Sequence, residues 1–257
     1  MTKKHISFSE LKTWAECPYK HRLKYIEGIN GFTGNAFTAF GTAIHSVCEF
    51  IAKGELDPID YDEHFDLAFL CELKKLDEKP DNELITQMRQ QGREISPSVF
   101  PQLKKHFGDY EVYSTEEMLY ESIDELTYKW HLKGFIDLVI KTSDGKYHIL
   151  DWKSCSWGWD AQKRSEKLVT YQLTLYKKFF CKKHNIDPSE VETHFGLLKR
   201  TSKADKVEIF RVTSGPRKTK NATKLLTDGC RTIKAGNHVK NRMNCKGCEF
   251  RHTEHCP

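Results

Sequence analysis

Two stretches on either side of one turn decide the fold: Gly134-Phe-Ile-Asp137 and, beyond Ser143-Asp144-Gly145, Ile149-Leu-Asp151-Trp-Lys153. β-branched and aromatic residues fill both flanks, so 127–142 and 146–153 read as paired strands. Strand side chains alternate, which puts Asp151 and Lys153 on one face. Register decides whether Asp137 joins them. A two-residue loop, Asp144-Gly145, would set Asp137 opposite Trp152 and turn its carboxylate away from Asp151. A three-residue loop with Gly145 in the left-handed conformation pairs Thr142 with Lys146 and sets Asp137 opposite Asp151. We expect the longer loop or an equivalent bulge.

Working outward, Ser7-Phe-Ser-Glu10 has the form of a capping box, opening a helix that runs toward Cys17-Pro18. A second helix is expected over 41–53, with Ile44, Val47, Cys48 and Ile51 as its apolar stripe. Helical patterning resumes from 61 to about 105, with breaks expected at Pro80 and Pro97. A strand over 110–123 precedes the hairpin. After it come a long amphipathic helix (162–183), strands over 191–201 and 206–212, and a helix over 219–235. The order implies an α/β or α+β domain with a mixed central sheet flanked by helices. No linker is visible, so 1–257 reads as a single domain. In that reading 1–40 and 236–257 form a cysteine region around a core at 41–235, with a helical insertion at about 55–108.

Of the 257 residues, 30% are charged and 38% hydrophobic, and the formal net charge is +5. That balance fits a globular protein, not a disordered chain. It allows a nucleic-acid partner without requiring one. No apolar run reaches membrane-spanning length. The start, Met-Thr-Lys-Lys-His, lacks a secretory pattern, so the expected compartment is the cytoplasm. Nine cysteines without an export signal argue against a disulfide framework. Cys48, Cys71, Cys155, Cys181 and Cys230 stand singly among apolar or helical patterns and read as small core residues.

Two carboxylates at hairpin range repel one another, and keeping both ionised in a buried place calls for a cation. Oxygen ligands suit Mg²⁺ or Mn²⁺. A lysine beside such a pair points to phosphodiester hydrolysis. On the second helix, Gly41-Thr-Ala-Ile-His45 precedes Glu49, which shares a face with His45. On the long helix, Gln172-Leu-Thr-Leu-Tyr176 places Gln172 and Tyr176 on one face in the same way.

The ordered set Gly-x-x-x-His, Gly-x-x-Asp, Asp-x-Lys and Gln-x-x-x-Tyr resembles the RecB-like branch of the PD-(D/E)xK nuclease superfamily. The resemblance implies a restriction-endonuclease-like core. It implies His45, Asp137 and Asp151 as ligands of Mg²⁺ or Mn²⁺, with the backbone carbonyl of Trp152 as a further one. It implies Lys153 as the catalytic lysine, with Gln172 and Tyr176 positioning the DNA strand and that lysine.

Cys245-Lys-Gly-Cys248 is a knuckle that brings two thiolates to one metal; Cys256 follows, and Cys17 lies far upstream. Four cysteines suit zinc or an iron–sulfur cluster, and spacing does not decide between them. One cysteine before the catalytic motifs and three after is similar to the AddB-like iron–sulfur exonucleases and the CRISPR-associated exonuclease of this group. That resemblance implies a [4Fe–4S] cluster joining the terminal segments. Cys248 and Cys256 are further apart than in those relatives, so His252 or His255 offers an alternative ligand.

The expected activity is metal-dependent hydrolysis of DNA, as an exonuclease acting on ends with single-strand preference, in recombination, repair or mobile-element processing. The basic residues from Lys199 to Lys220, with Trp157 and Trp159, would line the DNA path. No Gly-x-x-x-x-Gly-Lys-Ser/Thr loop occurs, so a helicase or recombination partner would be a separate chain. The alternative is an inactive nuclease-like subunit that binds DNA or an assembly.

Overall fold

The hairpin has the register of a three-residue turn. The structure, a computed structural model, describes residues 4–29 and 34–257. The terminal residues Met1–Lys3, part of the start read above, lie outside the described residues. Thr142 N–H donates to the Lys146 carbonyl at 3.0 Å, and Gly145 takes a φ of 85°. Left-handed backbone there is open to glycine without the Cβ clash other residues meet. The ladder runs Lys141↔Tyr147 to Leu138↔Leu150 and ends there, one residue short of Asp137 and Asp151, which that register sets against one another.

In chain order the main elements begin with β1 (His5–Ser7), α1 (Phe8–Glu16), α2 (Pro18–His21), α3 (Ala36–Lys53), α4 (Tyr61–Leu73) and α5 (Asn82–Phe107). Strands β2 (Tyr110–Ser122), β3 (His131–Thr142) and β4 (Tyr147–Cys155) follow. Then come α6 (Ala161–Ser165), α7 (Lys167–His184), β5 (Val191–Lys199), β6 (Val207–Val212) and α8 (Pro216–Lys234). The chain divides into two compact units: Met1–Thr33 with Leu119–Gly134 and Gly215–Pro257, and Gly34–Met118 with Phe135–Ser214.

The second unit carries the mixed sheet, in the order β3-β4-β5-β6. β4 and β5 are parallel, whereas β3–β4 and β5–β6 are antiparallel. The parallel pair needs a crossover, and α7 supplies it. One sheet face buries Leu138, Ile140, Leu150, Trp152 and Leu198 in a core with Phe40, Ile44, Phe65, Phe69 and Val99 from α3, α4 and α5. Helix α3 starts at Asn35, whose side chain accepts from Phe37 and Thr38 N–H, and stops at left-handed Gly54. Both are the caps helices favour.

Three expectations of local structure are corrected. Helix α5 runs through Pro97 and also Pro101. Each proline removes one backbone donor, but Ile95, Ser96, Val99 and Leu103 on the buried face hold both halves against the core. The long helix breaks at Glu166, whose ψ of 128° is extended, giving α6 and α7. Cys71 is exposed and Cys155 half-buried, whereas Cys48, Cys181 and Cys230 are core residues.

Helices α4 and α5 are joined by Asp66, which accepts from Arg89 Nε at 3.1 Å, from Arg89 Nη2 at 2.6 Å and from Arg93 Nη2. Burial raises the Asp66 pKa, but the two guanidinium groups outweigh it and hold the carboxyl below its ordinary value. A lowered folded-state pKa stabilises above the unfolded value, and that contribution is lost as pH falls through the folded one. Both arginines are about two-fifths exposed. Asp66→Asn should therefore cost only about 1 kcal/mol at pH 7. Urea midpoints of the two proteins should converge as the pH falls below the carboxylate range.

In the first unit, β1 lies parallel to the opening residues of β3, with Ile6 opposite Leu132. Ser7 caps α1 by accepting from Glu10 N–H, and the buried Glu10 carboxylate meets His21 Nε2 at 2.8 Å. Helix α8 crosses α1 closely at Gly229, where a Cβ would stand 2.7 Å from Leu11. No helix among the described residues is long and apolar enough to cross a membrane.

Candidate active site

The site is built at the hairpin, where its ladder gives way to side-chain bonding. Asp137 on β3 accepts from the Trp152 N–H with Oδ2 at 2.6 Å, in place of the next strand-to-strand bond. Asp151 on β4 is 2% exposed. Its Oδ1 accepts from Gln172 Nε2 at 3.0 Å, and its Oδ2 is ion-paired with the Lys153 ammonium. From α3, His45 Nδ1 stands 3.6 Å from Asp137 Oδ2, and the His45 imidazole also bonds to the Trp152 backbone. From α7, Gln172 donates to Tyr176 Oη at 3.2 Å as well as to Asp151.

The structure thus brings together His45, Asp137, Asp151, Lys153, Gln172, Tyr176 and the Trp152 backbone, all within the second unit. Each is placed by local rules. Period two aligns Asp151 with Lys153, the turn aligns Asp137, and i, i+4 spacing aligns Gln172 with Tyr176. Gly41 in α3 lets the helix lie close to β4, since a Cβ there would be 3.4 Å from Ser154 Oγ.

The electrostatics are those of crowded like charges. Burial first, and then Asp151, push the Asp137 carboxyl up to about 8. Burial lowers the His45 pKa against the pull of Asp151, so its imidazole is neutral. Burial also pulls Lys153 down, but Asp151 and Asp137 outweigh it and the net shift is upward. Burial, then Asp151, raise the Tyr176 phenol, which stays protonated.

Asp151 Oδ2 is buried, and the Lys153 ammonium is the charge set against it. A buried carboxylate oxygen so placed, next to a second carboxylate and a neutral imidazole, fits a divalent cation. His45, Asp137, Asp151 and the Trp152 carbonyl are the groups that would hold it.

Glu116 was not among the expected site residues. It lies in β2 with a φ of 45°, unusual for a residue with a side chain. Burial, then Asp137 and Glu49, raise its pKa, so its carboxyl feels the site. An acid in the strand just before Gly-x-x-Asp was the available signal, but Ser114-Thr-Glu-Glu117 does not say which glutamate faces the site; Glu117 is the buried one and is bonded to Lys183 and His184. Glu49 is bonded instead to Lys53, at 2.7 Å.

The cysteines form a separate group in the first unit. Cys17, Cys245, Cys248 and Cys256 line one cavity of about 300 Å³, with His252 beside them. The His255 backbone carbonyl accepts from Tyr19 Oη at 3.0 Å. Asn241 and Asn244 side chains both donate to the Glu16 carbonyl, and Asn241 N–H lies 3.3 Å from Cys17 Sγ. The last segment is therefore bonded directly to the chain around Cys17.

Several of the cations from Lys199 to Lys220 are neutralised internally. Lys199 pairs with Glu208, Lys206 with Glu94 and Arg211 with Glu192. Trp159 packs against Phe195 and Phe210, whereas Trp157 is 72% exposed.

Comparison with known proteins agrees with this architecture. A search of curated proteins finds no match. Among solved structures, one named "Putative exonuclease" from Eubacterium rectale has a TM-score of 0.60 at 13% identity, covering 99% of this chain and 90% of the other. A second, SSO0001, gives a TM-score of 0.46 at 14% identity, covering 97% and 85%. The family model of the PD-(D/E)XK nuclease superfamily matches residues 5–256, and the chain belongs to that superfamily.

Proposed function

We propose that the protein is a metal-dependent deoxyribonuclease that degrades DNA from its ends, preferring single strands, in recombination, repair or mobile-element processing. The observation that carries the nuclease reading is the buried Asp151 carboxylate, ion-paired with Lys153 on the same strand and faced by Asp137 across the hairpin. Bound Mg²⁺ or Mn²⁺ would supply charge to the phosphoryl oxygens and lower the pKa of a coordinated water. The chain's own groups do the rest. Lys153, held as an ammonium by the two carboxylates, donates and does not act as a base; it can orient the attacking water and steady the developing negative charge. Gln172 fixes the Asp151 carboxylate and, with Tyr176, presents a polar edge to the strand.

A path for DNA leads away along β4. Arg200 N–H bonds to the Cys155 carbonyl and Arg200 Nη2 donates to Ser156 Oγ at 3.0 Å, so the basic turn sits at the end of the catalytic strand. Beyond it Arg200, Lys203, Gln87 and Gln90 line an open cleft of about 880 Å³. The exposed Trp157 offers a surface on which an unpaired base can stack. Resemblance to end-degrading relatives, and not geometry, supports exonuclease action.

For the cysteine group we propose a [4Fe–4S] cluster held by Cys17, Cys245, Cys248 and Cys256. All four line one cavity, and the choice of cluster over zinc rests on the resemblance to iron–sulfur relatives. Zinc is the second reading. The cluster would be structural, adding bonds between the terminal segments that hydrogen bonds already join. Cys248→Ala is then expected to lose the brown chromophore and most soluble yield, because folding free energy supplied by a metal group disappears with it. A colourless, soluble and active Cys248→Ala protein would overturn this assignment.

The test of function is anaerobic purification followed by incubation with Mn²⁺ and 5′- or 3′-labelled DNA, single- and double-stranded. Progressive shortening from one end of single strands is expected. Cleavage of closed circles at equal rate would make it an endonuclease. No cleavage by folded, metal-loaded protein would favour a DNA-binding or assembly subunit.

A further inference from the structure

We propose that His148, Glu192 and His194 form a second metal site, for a divalent transition-metal ion such as zinc, on the sheet face opposite Asp151 and Lys153. Alternation along β4 puts His148 on the face of Leu150 and Trp152, away from Asp151. The β4–β5 register sets Glu192 beside His148 and His194 beside Leu150, so all three share that face. No step of the proposed nuclease chemistry uses them.

The donor atoms converge. His148 Nδ1 and His194 Nε2 are 3.1 Å apart, and Glu192 Oε2 is 4.0 Å from each. Zinc sits about 2.0–2.1 Å from imidazole nitrogen, so tetrahedral ligand atoms lie roughly 3.3–3.4 Å apart. The carboxylate, 16% exposed at the edge of the cluster, needs to close by less than about 1 Å to complete three ligands.

Hydrogen bonding has already chosen the ligating atoms. Thr142 Oγ1 donates to Asp144 Oδ1 at 2.6 Å, so toward His148 Nε2, 3.0 Å away, it acts as acceptor. His148 therefore carries its proton on Nε2 and turns the lone pair of Nδ1 toward His194. This is the arrangement in which a ligand imidazole is oriented by its outer nitrogen. Glu192 Oε1 is taken by Arg211 at 3.1 Å and Lys146 at 3.6 Å, which leaves Oε2 for the imidazoles.

The two imidazoles are buried. His148 and His194 are 8% and 3% exposed, and His194 Nδ1 has no hydrogen-bond partner among the described residues. With His148 protonated on Nε2, its Nδ1 accepts from His194 Nε2–H, and a metal ion would take the place of that shared proton. Burial holds both imidazoles below their ordinary pKa, His194 at about 3, so both are the neutral form that binds metal. Two imidazoles and one carboxylate form a zinc-type donor set, unlike the oxygen-rich set at Asp137 and Asp151. Phe107 packs against both rings, at 5.1 and 5.0 Å, and shields this side under the end of α5. The ion would pin β4 to β5 there.

The test is diffraction from crystals of the full chain grown with zinc chloride, recorded on both sides of the zinc absorption edge. The expected result is an anomalous peak within bonding distance of His148 Nδ1, Glu192 Oε2 and His194 Nε2. Glu192→Gln, a near-isosteric change at a partly exposed position, should remove the peak and weaken zinc binding in solution at least about tenfold, since loss of an outer-shell partner alone costs that much. Zinc found only at the cysteines or at Asp137 and Asp151 overturns the proposal. So does an unchanged peak in the variant. Wild-type diffraction decides the matter if the variant does not fold, and neither result depends on whether DNA is cleaved.

Discussion

Lys153→Ala is expected to slow DNA hydrolysis by on the order of 10²–10³-fold while Mn²⁺ binding is kept. The size follows from the loss of one charged donor aimed at developing negative charge. The split between activity and binding follows from the geometry. Lys153 contacts Asp151 Oδ2, which Mn²⁺ would also need, so the ammonium and the ion compete for that oxygen. Removing the lysine leaves two buried carboxylates with less opposing charge, and their demand for a cation rises. The variant should therefore bind Mn²⁺ at least as tightly as wild type and gain more thermal stability from it. Asp151→Asn should do the opposite, losing binding and activity together. Titration by calorimetry beside a labelled-strand assay reads both quantities. A Lys153→Ala protein that cleaves at the wild-type rate would remove the catalytic assignment of this residue.

Much of this site was legible because local rules act there without tertiary help. Period two fixed Asp151 with Lys153, and the Ser143-Asp144-Gly145 turn fixed the register that places Asp137. Helical i, i+4 spacing paired Gln172 with Tyr176. What was illegible depends on long-range packing. Pro97 reads as a helix breaker, yet α5 passes through it because a buried face holds the helix on both sides. Glu116 comes under the influence of Asp137 through its own left-handed backbone in the middle of β2, and no residue-level pattern announces such backbone in a glutamate. His148 and His194 are forty-six residues apart, and only the parallel pairing of β4 with β5 sets their nitrogens face to face. The basic run from Lys199 looked like a continuous cationic surface, but Glu94, Glu192 and Glu208 neutralise part of it from elsewhere in the chain.

The same parallel pairing makes Gly196→Ala a severe change, although it adds one methyl group. Gly196 lies opposite Trp152 in the β4–β5 ladder, and a Cβ there would fall 2.3 Å from Cε3 and 2.4 Å from Cζ3 of the indole. These are atoms of a rigid ring, 1% exposed and packed beneath α3, so no flexible end can swing aside. Overpacking of a filled core costs typically about 1–3 kcal/mol, and this collision belongs at the upper end. At roughly 2–4 °C per kcal/mol for a chain of this size, the melting temperature should fall by roughly 6–12 °C. Gly215→Ala, whose Cβ would meet nothing within 4 Å, loses only the preference for glycine over alanine at a helix N-cap, about 1 kcal/mol, and should lower it by roughly 2–4 °C. Activity should suffer beyond the loss of folded protein. The Trp152 backbone donates to Asp137 and bonds to His45, so a displaced indole drags the peptide that aligns two of the proposed metal ligands. Assayed well below its melting temperature, Gly196→Ala should show weaker Mn²⁺ binding and a lower turnover. An unchanged melting temperature would mean that the ring and strand yield far more easily than their burial allows. A lowered melting temperature with full turnover would mean that Asp137 and His45 hold their places without the Trp152 backbone.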